Sequence, residues 1–353
     1  MSVLRGVALG LLFVLHAYAH PQEASPVALT LVNPYPATGA ADIAGTSVMT
    51  RALRAMQSFA TPSTTDALLH NLQRLLVAAL AADVGVNRIP RGGGTAAALS
   101  VNAAAGATLL FGGSGLTAGS TASAMRELQP VALVARIPLA LVVRSEGSAD
   151  AIARLLEHPA RRNTPLQVGT PGERTAGQWL ARQLQRERPG TIATVSYNGG
   201  NGALRGLLAR QVDATLAPLP AVLPYAPGQR LRILAISTGT RHAMLPAVPT
   251  IAEAGLAALT VTGWHGLFAP PAMSAADVRR LQAALATVLR GDDARDALDG
   301  LGYAAEFGDG EVLRRVLSEE LRRTAPVVVT ERIQRSDSSG GLTALNIFSS
   351  VRS

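Results

Sequence analysis

No cysteine occurs among the 353 residues, which excludes disulfides, thiolate metal sites and cysteine nucleophiles. Lysine is absent too, so every strongly basic side chain is arginine. A phosphate loop ends in Gly-Lys-Ser/Thr and therefore cannot be built. Aromatic residues are only 4% of the chain, and no basic run is interleaved with them as single-strand binding requires. The net charge of +8 leaves two readings, a nucleic-acid footprint or a codon bias toward arginine and alanine. The scatter of the arginines favours the second, and no nucleic-acid partner is expected.

Catalytic and metal signatures are missing as well. His16 and His20 lie near the N-terminus, while His70, His158, His242 and His265 are isolated, with no His-Glu-x-x-His spacing. Gly199-Gly200-Asn201-Gly202 with Gly206 does not make a G-x-G-x-x-G fingerprint. The serine elbow Gly-x-Ser-x-Gly fails around Ser114, because position 116 is leucine. No two carboxylates stand at a spacing that supports general acid and base work. The expectation is a protein that is not an enzyme and carries no cofactor and no metal.

What is present points to a globular chain long enough for two cores. Hydrophobic residues are 48% and charged residues 16%. Arg5, the apolar stretch Gly6 to Leu15 and Ala17-Tyr18-Ala19 form a secretory signal pattern, with cleavage expected near Ala19. An uncleaved anchor is the alternative, but the run is short for a membrane span.

Strand-like and helix-like segments then alternate, which predicts an α/β protein with largely parallel sheets. Val27 to Val32 reads as a strand, followed by the turn Asn33-Pro34-Tyr35-Pro36-Ala37-Thr38-Gly39-Ala40-Ala41 and a helix from about Ala41 to Met56. A second helix is expected over Asp66 to Ala82, where Leu68, Leu69, Leu72, Leu75, Leu76 and Leu80 keep a helical period. Thr108 to Phe111 is a strand that opens into Gly112-Gly113-Ser114-Gly115. Pro130 to Val143 is an apolar run that fits two strands or one extended crossing segment. Leu166 to Thr170 and Ile192 to Ser196 are further strands, each ending in a glycine-bearing turn. Helices are expected over Ala149 to Glu157, Thr175 to Arg186, Ala203 to Arg210, Ile251 to Ala254, Ala275 to Leu289, Asp292 to Leu301 and Gly310 to Arg323. Helix N-termini after small-residue turns are anion sites, because free N–H groups and the helix dipole both favour negative charge. Any one such turn need only turn, whereas several converging would make a site.

Several stretches, in order, resemble one family. They are Pro34 to Asp42, Val131 to Pro138, Val195-Ser196-Tyr197-Asn198-Gly199-Gly200, Gln211-Val212-Asp213, Leu245 to Gly255 and Gly266-Leu267-Phe268-Ala269-Pro270. The chain resembles the solute-binding proteins of tripartite tricarboxylate transporters, the Bug-type periplasmic binding proteins, over about residues 27 to 328. The resemblance implies a two-lobed, flytrap-like fold, each lobe a mostly parallel sheet flanked by helices. It implies residues 27–131 with 262–330 as one lobe and 132–261 as the other, while the Ser/Gly-rich composition from about Ser336 predicts 331–353 as a poorly ordered tail. It implies a periplasmic monomer that captures a small carboxylate between the lobes and serves a membrane permease or a sensor kinase. Carried over by position, the ligand-binding residues are Tyr35, Thr38 and Gly39 on the first turn and Ser114 and Gly115 on the second. Thr170, Gly172 and Thr175 follow on the third, and Tyr197, Gly199 and Gly200 on the fourth. Asp213 is implied to orient donors or a ligand amine, with a turn-capping carboxylate as the alternative. Ala37-Thr38 stand where the family has Pro-Gly, and Gln57 to Leu76 is extra chain.

Overall fold

The computed structural model describes residues 29–35, 64–104, 106–117, 120–147, 165–173, 175–225, 230–255 and 260–324. The signal segment, the helices expected over Ala41 to Met56 and Ala149 to Glu157, and the tail lie outside the described residues. Among the described residues no helix is long and apolar enough to cross a membrane.

The first elements are β1 (Leu29–Asn33), α1 (Thr64–Leu80), β2 (Val84–Arg88), α2 (Thr95–Asn102), β3 (Thr108–Gly113) and α3 (Ser120–Glu127). β4 (Gln129–Arg144) follows, then β5 (Leu166–Thr170), α4 (Ala176–Glu187), β6 (Ile192–Ser196), α5 (Gly199–Leu208), β7 (Ala214–Pro218) and the single turn α6 (Leu219–Val222). The chain closes with β8 (Leu231–Ile236), β9 (Thr262–Ala269), α7 (Ala275–Leu289), α8 (Asp292–Gly300), β10 (Ala304–Asp309) and α9 (Gly310–Thr324).

The alternating elements form two lobes around one long strand. In the first, β2, β1 and β3 pair in parallel, and β9, β4 and β10 continue the sheet antiparallel. In the second, β6, β5 and β7 are parallel, and β7 and β8 flank β4 antiparallel. Parallel pairing therefore holds for the outer strands of each lobe. The inner pairs are antiparallel because the chain crosses between lobes and returns along the same line. The apolar run from Pro130 is thus one crossing strand of 16 residues, not two strands. Gln129–Pro138 pair with β9, while Leu139–Arg144 pair with β7 and β8.

Each sheet is covered on both faces, as parallel strands buried on both sides require. α1 supplies Leu68, Leu69, Leu72 and Leu76, each at most 2% exposed. Each contributes about 2 kcal/mol of burial. The latter part of the extra chain, Gln57 to Leu76, is therefore core. α7 and α8 add Leu281, Leu285 and Leu298 to the same cluster, and Trp264, Phe268 and Leu313 pack on the opposite face.

Ser237 ties the crossing together. Its N–H donates to the Leu139 carbonyl at 2.9 Å, and its Oγ accepts from the Leu139 N–H at 2.9 Å. Its hydroxyl donates to the Val261 carbonyl at 2.5 Å, and its carbonyl accepts from the Val261 N–H at 3.1 Å. One buried serine thus joins the outgoing strand to the returning one where sheet membership changes.

Two element expectations need correction. The helix expected from Ala203 begins at Gly199, because Gly199, at φ +79°, starts the helix directly. Ile251 to Ala254 forms hydrogen-bonded turns rather than a helix, held by Thr250 bridging to Ile236.

Candidate functional site

Ligands of open α/β sheets sit beyond the carboxyl ends of the parallel strands. Here those ends converge on the crossing strand. Gly113, the last residue of β3, lies opposite His265, which lies opposite Ala135 of β4. Pro218, the last residue of β7, lies opposite Leu139. The two registers fall four residues apart on β4, at Ala135 and Leu139, about 13 Å along the strand at about 3.3 Å per residue.

The first-lobe wall is built from β1. Asn33 is fully buried, and its side chain donates to Asp66 of α1 at 3.1 Å. Asp66 also pairs with Arg88 of β2, whose second nitrogen donates to the Tyr35 carbonyl at 3.0 Å. The Tyr35 N–H donates back to Asn33 Oδ1 at 3.0 Å. This lattice fixes the Tyr35 ring edge-on to Phe111 and His265, with centroids 6.3 Å and 5.6 Å away. Burial raises the Tyr35 pKa, with Tyr303 adding to the shift, so its hydroxyl stays a donor. Thr38 and Gly39 lie outside the described residues.

On the second turn Ser114 is 8% exposed, and its Oγ accepts from the Trp264 N–H at 3.0 Å, next to the crossing. Gly115 is exposed, and a Cβ there would meet nothing within 4 Å.

The third and fourth turns are laced together. Tyr197 N–H donates to the Thr170 carbonyl at 2.9 Å, and Gly199 N–H donates to the Pro171 carbonyl at 2.8 Å. Thr170 is fully buried, and its hydroxyl donates to Gln178 inside the lobe. Thr175 caps α4, accepting from Gln178 N–H at 3.3 Å and donating to the Gly172 carbonyl at 2.7 Å. Gly172 has φ +142°, a conformation that suits glycine. Tyr197 lies across Gly206, where a Cβ would come within 2.3 Å of the phenolic oxygen, and its hydroxyl donates to Gln211 at 3.2 Å. Gly200 approaches Pro218 so closely that a Cβ would lie 2.8 Å from its ring. The start of α5 is therefore held against the end of β7. Asn198 makes no side-chain cap there, so the first N–H groups of α5 have no side chain to satisfy them.

Asp213 lies apart from these residues. Its carboxylate accepts from the Gln167 N–H at 2.8 Å, at the opposite end of β5. Three residues of strand, about 10 Å, separate it from the Thr170 end.

Two further residues at the convergence are not among the sequence-derived ones. Gly113 is required by packing, since a Cβ there would lie 2.5 Å from the Trp264 carbonyl, 2.7 Å from His265 Nδ1 and 2.8 Å from the Tyr35 hydroxyl. His265 is 5% exposed and stacked on Phe111 at 4.7 Å. Burial drives its pKa down to about 4, with the Gly112 backbone opposing. In the sequence it reads only as an isolated histidine.

An open cavity of about 670 Å³ lies elsewhere, at the start of β4 between α7 and α9. Within its lining Arg314 pairs with Glu311, and the Asp309 carboxylate accepts from the Val312 N–H. Among the described residues no group of His, Asp or Glu is arranged to hold a metal ion.

Residues 68–333 match the family described as tripartite tricarboxylate transporter family receptor. The chain is 30% identical over 209 residues to a UPF0065 protein encoded in the tcbD-tcbE intergenic region of Pseudomonas sp. strain P51, covering 59% of this chain and 62% of that protein. It therefore spans less than two thirds of that relative. It is 27% identical over 300 residues to BugT of Bordetella pertussis, covering 82% of this chain and 92% of BugT. Among solved structures, R. palustris Rpa4515 with adipate superimposes with a TM-score of 0.67 at 24% identity, covering 84% of this chain and 95% of that one. MatC of Rhodopseudomonas palustris with bound malate gives 0.62 at 24% identity, covering 85% and 98%. The periplasmic binding protein BugD gives 0.64 at 18% identity, covering 84% and 95%. These similarities establish the two-lobed fold. With a family match over three quarters of its length, the chain belongs to the tripartite tricarboxylate transporter receptors, a family of solute-binding proteins rather than enzymes.

Proposed function

We propose that this protein captures a small carboxylate between its lobes outside the cytoplasm and delivers it to a membrane permease. The observation that carries the reading is the convergence of both sets of strand ends on β4, with the uncapped start of α5 among them. Backbone N–H groups at a helix start hold an anion without a buried cation. The adipate and malate named with two structural relatives give the ligand class to test first. The lobes divide inside β4, where Gln129–Pro138 pair with the first sheet and Leu139–Arg144 with the second, and we set the joint there. Tyr35, Ser114 and Gly115 line one wall, and Gly172, Gly199 and Gly200 line the other. Thr170, Thr175 and Tyr197 shape the second wall through their internal hydrogen bonds, and Asp213 braces the far end of its sheet. The signal segment is removed near Ala19, and the mature protein acts as a periplasmic monomer.

A thermal-shift series on the mature protein, freed of carried-over ligand, tests this. Adipate, malate and other carboxylates are added at increasing concentration. A ligand at 1,000 times its dissociation constant adds about 4 kcal/mol of stability, which raises the melting temperature by several degrees. No shift with any carboxylate, in protein shown to be folded, overturns the reading.

A further inference from the structure

The His265 imidazole is the strongest unexplained feature of the convergence. Its Nδ1 is buried and has no hydrogen-bond partner among the described residues. Leaving a buried polar atom unsatisfied costs about 1–3 kcal/mol, so such an atom calls for a physical reason. Nδ1 also lies at the carboxyl end of β3, beside the Tyr35 hydroxyl, and both crowd the bare Cα of Gly113. The stack on Phe111 at 4.7 Å fixes the plane of the ring. The groups facing the imidazole are the Gly112 backbone of β3, which hydrogen-bonds to the ring, Tyr35 from the end of β1, Phe111 from β3 and Tyr303 from ahead of β10. Helices α1, α7 and α8 contribute only aliphatic side chains to this cluster. Arg88 and Asp66 are paired with each other, and Arg88 also donates to the Tyr35 carbonyl. His242 stands on the far side of Tyr303, where its Nε2 meets the Tyr303 carbonyl at 3.2 Å.

Resting on the carboxylate reading, we propose that His265 is a ligand-binding residue that takes up one proton from solvent as the carboxylate binds. The Tyr35 hydroxyl donates to the same anion. The side chains packed on the ring, Tyr35, Phe111 and Tyr303, carry no charge, and burial keeps the imidazole neutral. A carboxylate arriving beside Nδ1 supplies the missing counter-charge, and an opposite charge that close favours the imidazolium. The bound complex then holds a charge-assisted pair that a phenylalanine at this position cannot form.

Isothermal titration of the wild-type protein with adipate and malate, between about pH 6 and 8 and in two buffers of different ionisation enthalpy, tests this. The expected result is affinity that rises as pH falls, by at most about tenfold per unit, with proton uptake approaching one per ligand. In His265→Phe and His265→Asn the uptake disappears. Ionisation of the ligand itself is common to all three proteins and cancels in the comparison. Ring-nitrogen NMR of the histidine-labelled wild type gives a readout free of any folding defect in the variants: one resonance, absent in His265→Asn, moves from neutral to imidazolium position on adding adipate. Binding with no proton uptake, or with uptake equal in wild type and variants, overturns this inference and leaves the carboxylate reading standing. No binding of any carboxylate by folded wild type overturns both.

Discussion

Gly113 and Gly115 stand two residues apart on the same turn, yet their environments are opposite. A Cβ on Gly113 would meet a backbone carbonyl, an imidazole and a phenol within 2.8 Å, while a Cβ on Gly115 would meet open space. Gly113→Ala is therefore expected to cost about 1–3 kcal/mol through overpacking. Gly115→Ala is expected to stay within about 0.5 kcal/mol of wild type. Urea unfolding of the pair checks both numbers. His265 carries a second residue-scale expectation. The folded state holds the ring neutral with a pKa of about 4, while the unfolded chain protonates at the ordinary value of about 6.5. Its contribution to stability is thus complete above about pH 6.5 and is lost as pH falls through about 4. The loss amounts to about 3 kcal/mol by linkage. Unfolding free energies measured from pH 7 to pH 4 should fall more steeply in wild type than in His265→Phe. Equal slopes would mean that the ring is already charged or solvated in the fold.

At the scale of elements, Ser237 ties the crossing strand to the returning one through four hydrogen bonds. Ser237→Ala removes the acceptor for the Leu139 N–H and the donor to the Val261 carbonyl, leaving buried partners unmet. The expected loss is about 1–3 kcal/mol by denaturant unfolding. A loss below about 0.5 kcal/mol would mean that water replaces the hydroxyl. Thr175→Ala should cost about 1 kcal/mol by uncapping α4, measured in the same way. Elements were legible where their pattern is strong. The helix Ala275–Leu289 is read to the residue, because Val278, Leu281, Leu285 and Leu289 repeat at helical spacing and are buried. β2 and β10 carry no such signal, since edge or short pairing leaves most of their residues half-exposed or exposed. The glycines at 199–202 read as a turn because glycine usually ends structure, whereas here they open α5.

For the whole molecule, two lobes that meet on a single strand and one returning segment have a natural joint there. A carboxylate bridging Tyr35 and the start of α5 would contact both sides of that joint. It would shift the population toward the state with both walls engaged. The location of the site is a property of topology rather than of any motif. β3 and β7 end at the crossing only because β9 and β4 run antiparallel between them.

The class of protein is legible in the linear chain. Its missing cysteines and lysines and its alternation of apolar strands and amphipathic helices are local properties, and local chemistry settles them. It also placed Tyr35, Ser114 and the Thr170–Gly172 and Tyr197–Gly200 turns at strand ends. Tertiary structure decided what those residues do. Thr170 and Thr175 direct their hydroxyls inward to Gln178 and Gly172, and the Asp213 carboxylate meets the Gln167 N–H at the end of β5 away from Thr170, because strand direction and helix docking set where a side chain points. His265 gained its place beside Tyr35 and Gly113 only when β9 returned between β3 and β4. A contact across 150 residues of chain, such as Ser114 with Trp264, leaves no periodic trace in either segment that makes it.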